Sequence, residues 1–146
     1  MTTQPARFRN PDILQVLPER EWVWEHLPKG HEGFVAEDLD LVVRTYGARY
    51  GLDSLGRFRL IELKHGNARL GVSKVKTFGP IDAGLKTGIT ASRYDGYYVV
   101  RTNGGWDGAG MFNVNGVDLS HAQFVEWMQR ADTATVRPYD FGLDLR

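Results

Sequence analysis

Cysteine is absent from the 146-residue sequence. That one absence excludes disulfides, thiolate zinc sites and a cysteine nucleophile. No apolar run approaches the ~18–20 residues that span a bilayer. The first ten residues, MTTQPARFRN, have no apolar stretch of the kind a secretory signal needs, so the expected location is cytoplasmic, with no membrane partner. The four histidines, His26, His31, His65 and His121, lack the spacing of a zinc site. Net charge is also missing: 18 bases balance 18 acids, which argues against a protein that coats DNA indiscriminately. Linkers, repeats and low-complexity segments are not evident. With 42% hydrophobic and 25% charged residues, the composition is that of a globular chain rather than a disordered one, and the length suits one domain over residues 1–146, with 1–10 and 133–146 as peripheral tails.

The balanced total hides a pattern. Between Arg57 and Arg93 there are eight bases and two acids, whereas residues 1–40 and 94–146 are both net acidic. A basic block between acidic ends is either a solvated surface or a track for a polyanion.

Hydrophobic patterning predicts a helix over Glu19–Leu27 with Pro18 near its start. A β-branched strand follows over Asp38–Tyr46, and a second over Arg57–Lys64. An extra strand between Leu52 and Arg57, or a first strand prolonged to Arg49, is the alternative for the intervening loop. A helix is expected over Lys74–Ser92, kinked by Gly79-Pro80 or starting there. Further strands are expected at Tyr94–Arg101 and Met111–Val114. Ser120 suits the N-cap of a last helix, His121–Arg130. Helices before, between and after the strands of a mixed sheet imply an α/β sandwich.

Asp40 and Glu62 stand inside two otherwise apolar strands, where a carboxylate is costly unless it is paired or bound to a cation. Period-two alternation puts Phe58, Leu60, Glu62 and Lys64 on one face, and Asp38 and Asp40 on one face of the preceding strand. If the strands are neighbours, carboxylates and one ammonium converge. Mg²⁺ is bound through one or two carboxylates and keeps waters. Such an ion polarises a phosphoryl oxygen and activates water, and a lysine beside it stabilises developing charge.

The pattern Asp40-Leu-Val-Val followed by Leu60-Ile61-Glu62-Leu63-Lys64 resembles the PD-(D/E)XK nuclease superfamily, which includes restriction endonucleases and Holliday-junction resolvases. The likeness covers roughly Pro18 to Arg101, with Leu39 where many members have proline. It implies a restriction-endonuclease-like α-β-α sandwich around a central mixed β-sheet. It also implies Asp40, Glu62 and the Leu63 carbonyl as ligands of Mg²⁺ or Mn²⁺, and Lys64 as the catalytic or charge-stabilising residue. The helix bearing Lys74, Lys76 and Lys86 would face DNA, and Glu19, Glu21 or Glu25 would add a glutamate. The expected activity is Mg²⁺-dependent hydrolysis of phosphodiester bonds in DNA, with structure-selective cutting one form of it and a homodimer required to cut both strands.

Other readings of the residues stay open. Asp40, Glu62 and Lys64 would form a structural salt bridge at a sheet edge, although residues two apart on a strand are poor partners. The scaffold would then be a catalytically degenerate module that binds nucleic acid or a protein partner, or a purely structural protein holding a partner through its loops and Trp106. Gly79–Thr87 is no phosphate loop, because Leu85 separates Gly84 from Lys86.

Overall fold

The computed structural model describes residues 25–26, 37, 39–102, 110–130 and 135–143. The chain divides into two units, Met1–Glu37 and Asp38–Arg146. In the first, Glu25 and His26 are helical; the rest of the expected Glu19–Leu27 helix, with Glu19 and Glu21, lies outside the described residues.

The second unit is an α/β structure. A five-stranded mixed sheet is ordered β1 (Leu41–Thr45), β2 (Arg57–His65), β3 (Tyr94–Thr102), β4 (Phe112–Val114) and β5 (Val117–Leu119). The β1–β2 pair is antiparallel and β2–β3 parallel, and β3–β4 and β4–β5 are antiparallel. The parallel pair requires a crossover, supplied by helix α1 (Val72–Leu85). Helix α2 (His121–Arg130) follows β5.

Alternation along β2 assigns the two faces. Leu60 packs with Val75, Phe78, Tyr97 and Val99, so this face meets α1. Ile61 packs with Tyr98, Val100, Phe124 and Trp127, so the other face meets α2. β3 is buried from Tyr94 to Val100, as a central strand covered on both faces should be.

One irregularity sets the later geometry. Phe58 pairs with Tyr94 but Leu60 with Tyr97, so β3 carries one extra residue there, a β-bulge at Asp95–Gly96. Tyr94 and Tyr97 both remain on the α1 face while Asp95 turns to the other. Gly96 is required at this position. Its φ is 120°, and a Cβ would sit 2.5 Å from Pro138 Cβ.

Several expected boundaries move. β1 ends at Thr45, and a 3-10 turn over Ala48–Tyr50 with a closed loop replaces both the extra strand and the longer first strand. Gly47 N–H donates to the Asp53 carbonyl and Gly56 N–H to Asp53 Oδ1, which ties the loop shut. α1 begins at Val72, runs through Pro80 and ends at Leu85; a 3-10 turn at Gly88–Thr90 completes the stretch expected as one helix to Ser92. Pro80 and Gly79 weaken this helix intrinsically, and burial of Val75, Phe78 and Gly79 holds it. β5 was not expected. It forms because Asn115 and Gly116 both adopt positive φ, 47° and 89°, closing a two-residue hairpin after Val114. α2 has the expected bounds. Its Ser120 Oγ accepts from Gln123 N–H at 3.2 Å, and Gln123 Oε1 accepts from Ser120 N–H at 2.9 Å, a reciprocal capping box. No helix among the described residues is long and apolar enough to cross a membrane.

Candidate active site

The convergence depends on whether the strands carrying Asp40 and Glu62 are neighbours, and they are. Leu41 lies opposite Ile61 in the antiparallel ladder, so the same register carried back one residue sets Asp40 opposite Glu62. Asp40 is the exposed residue just before β1 rather than a strand residue. Its Oδ2 accepts the Leu63 N–H at 2.7 Å, which takes over the ladder position that β1 no longer fills. Within a strand, the N–H and C=O of one residue point to the same side. The Leu63 carbonyl therefore projects beyond the end of β1, on the side of the Asp40 carboxylate.

Glu62 is only 3% exposed, on the α1 face. Two ammonium groups reach it: Lys64 Nζ lies 3.3 Å from Oε1, and Lys74 Nζ donates to Oε2 at 2.8 Å. Burial raises the Glu62 pKa above the ordinary carboxylate value. The Lys74 hydrogen bond opposes that rise, the Asp40 charge adds to it, and the charges of Lys74 and Lys64 oppose it further. A buried carboxylate crowded by a second carboxylate, with its ionised form held by lysines, is a pattern that clusters at functional sites.

Asp40, Glu62, Leu63 and Lys64 are thus brought together at one end of the β1–β2 pair. Lys64 does contact Glu62 although the two are only two residues apart on one strand. Of the three helix lysines expected to face DNA, Lys76 is exposed, Lys74 reaches Glu62, and Lys86 pairs with Asp82 Oδ2 at 2.7 Å. Asp82 also accepts the Tyr94 hydroxyl at 2.6 Å. His65 is exposed. Glu25 belongs to the first unit, and Asp38 and Trp106 lie outside the described residues.

Lys74 is the site residue that sequence reasoning assigned elsewhere. Its signal was legible: Phe78, four residues on, belongs to the core stripe of α1, and residues at that spacing share a helix face. Lys74 Nζ lies 5.9 Å from the Phe78 ring centroid, and its stem follows the buried face.

The donor set suits a hard divalent cation. Two carboxylates and a backbone carbonyl are all oxygen ligands, and the mutual repulsion of Asp40 and Glu62 is what such a cation relieves. Among the described residues no group of three or more histidine, aspartate or glutamate side chains is placed to hold a metal, so the two carboxylates, the carbonyl and solvent would have to suffice, as Mg²⁺ allows. Comparison with family models, curated proteins and solved structures returns no match.

Proposed function

We propose that the chain is a Mg²⁺-dependent nuclease of the PD-(D/E)XK type acting on DNA, with the restriction-endonuclease-like sandwich as its scaffold. The observation that carries the reading is the meeting of Asp40, Glu62 and Lys64 at the β1–β2 pair, with the Leu63 N–H on Asp40. A helix follows the strand that bears Glu62 and Lys64, and crosses to a parallel strand, in keeping with the same resemblance.

In this reading Asp40, Glu62 and the Leu63 carbonyl would hold the ion. When bound, Mg²⁺ supplies Lewis-acid polarisation of the scissile phosphate and lowers the cost of ionising water. The Leu63 N–H fixes one Asp40 oxygen and so orients the carboxylate. Lys64, with its ammonium 3.3 Å from Glu62 Oε1, would supply positive charge beside the scissile phosphate and stabilise the charge that develops there. Lys74 donates to Glu62 from the α1 side and opposes the burial that favours its protonated form. Lys76 contributes to the phosphate track.

A second reading has one observation in its favour. Both Glu62 oxygens are engaged by lysines, so the cluster also closes without a metal, as a binding module with a degenerate site would. Incubation with supercoiled, nicked, single-stranded and branched DNA in Mg²⁺ or Mn²⁺ separates the two. The nuclease reading predicts cleavage that is lost in EDTA and in Lys64→Ala. Salt-sensitive DNA binding without cleavage, and without calorimetric metal binding, supports the module instead.

A further inference from the structure

The face of β2 turned away from Glu62 carries a second charged feature, near the strand's start. Arg57 Nε donates to Asp95 Oδ1 at 2.6 Å, and Arg57 Nη1 donates to the Ser92 carbonyl at 2.6 Å. Asp95 reaches this face only because of the bulge in β3. Two residues on, Arg59 is 0% exposed and lies over the Trp127 ring at 5.2 Å. Its Nη2 donates to the Trp127 carbonyl at a long 3.5 Å, and its Nε has no hydrogen-bond partner among the described residues. A buried guanidinium with an unmatched N–H is costly and calls for an anion.

Arg57, Arg59 and Asp95 line a pocket of about 330 Å³ together with Thr45, Arg49 and Tyr50. Three arginines and one carboxylate therefore line it, with Arg57 alone paired directly to Asp95. Burial lowers the Arg59 pKa, and the Asp95 charge opposes that fall without removing it. The loop that carries Arg49 and Tyr50 is anchored: Arg93 grips both Asp53 oxygens at 2.8 Å.

We propose that this pocket binds a phosphomonoester, the terminal phosphate of a nucleic-acid strand or of a mononucleotide. The surplus of two positive charges over Asp95 matches a phosphate dianion, and arginine forks match its oxygens bidentately. The volume exceeds that of a bare phosphate and lies at the lower end of the ~300–1,000 Å³ typical of small-molecule sites. Tyr50 lines the same pocket and offers a ring beside the phosphate, toward the nucleoside. The proposal is independent of the Asp40–Glu62 reading, because the pocket lies on the opposite face of β2 and needs no metal.

Calorimetric titration of the full chain in EDTA tests it, with inorganic phosphate, adenosine 5′-monophosphate, and an oligonucleotide bearing either a 5′-phosphate or a 5′-hydroxyl. Binding of the phosphate-bearing probes is expected, with affinity falling about tenfold or more in Arg49→Ala, since the variant loses a charge-assisted hydrogen-bond donor. Preference for the 5′-phosphorylated strand over the monophosphate assigns the strand end as the source, and the reverse assigns the free nucleotide. Arg59→Met, if folded by circular dichroism, should lose phosphate binding. Arg49→Ala, an exposed substitution on the 3-10 turn, keeps the test decisive if Arg59→Met does not fold. Absence of binding by every phosphate probe at millimolar concentration overturns the proposal, as does affinity unchanged in Arg49→Ala.

Discussion

Replacing Lys74 with methionine isolates the buried contact between α1 and Glu62. The substitution keeps the apolar stem against Phe78 and removes the ammonium 2.8 Å from Glu62 Oε2. Breaking a buried ion pair from one side costs about 3–5 kcal/mol when nothing else neutralises the survivor. Here Lys64 remains 3.3 Å from the other oxygen, and the Lys74 side chain is 15% exposed, so about 2 kcal/mol at neutral pH is the reasoned cost. For a chain of this length that is a fall in melting temperature of about 6 °C. The pH dependence carries the diagnosis. The folded-state pKa of Glu62 is raised above its ordinary value of 4.5, so its protonated form favours folding. That contribution is complete below the unfolded pKa and is lost as pH rises through the folded one. The Lys74 hydrogen bond is the largest influence opposing the rise, so its removal moves the folded pKa higher still. The difference between native and variant should therefore be smallest at low pH, where the protonated form of Glu62 prevails in both, and should grow as pH rises through the folded-state pKa. Urea denaturation at pH 4, 6 and 8 measures it, and Glu62→Gln in the same background should abolish the pH dependence. An equal loss at pH 4 and pH 8 would refute the reasoning, because it would mean that Lys74 acts through packing alone.

Three further outcomes follow from the structure. Mg²⁺ should raise the melting temperature of the native chain and not of Asp40→Asn, and its affinity should increase with pH, since the Glu62 proton competes with the ion; differential scanning fluorimetry across pH 5–8 checks both. Gly96→Ala should destabilise by about 2–3 kcal/mol in chemical denaturation, because φ of 120° is strained for alanine and its Cβ would sit 2.5 Å from Pro138 Cβ. Asn115→Ala should cost about 2 kcal/mol by the same assay, because Oδ1 accepts the Val99 N–H at 2.8 Å and Nδ2 donates to the Arg137 carbonyl at 2.9 Å.

The site was legible to the extent that local periodicity reaches. Alternation along Arg57–Lys64 set Glu62 and Lys64 on a common face, and the neighbouring strand brought Asp40 to them. The N-cap at Ser120 was equally local and gave α2 its bounds. The misplacements have non-local causes. Pro80 and two glycines make α1 look broken, yet its packing on β2 and β3 outweighs intrinsic propensity. The start of α1 at Val72 and its end at Leu85 follow from that packing. The Asn115-Gly116 hairpin did carry a sequence signal, a dipeptide suited to positive φ, but strands of three residues on either side are too short for periodicity to register. Lys74 was grouped with exposed bases because charge was counted along the chain rather than around the helix. Arg59 offered no local sign of burial, since only the meeting of β2 with α2 brings it over Trp127.

Cleavage of supercoiled plasmid DNA by the native chain and by Lys64→Ala and Glu62→Gln, in Mg²⁺ and in EDTA, bears most directly on the central claim. The account predicts nicked or linear product with the native chain in Mg²⁺, none in EDTA, and a loss of about a hundredfold or more in both variants while each remains folded. Cleavage undiminished in Lys64→Ala, or no cleavage of any DNA form by the native chain in Mg²⁺ or Mn²⁺, would contradict it.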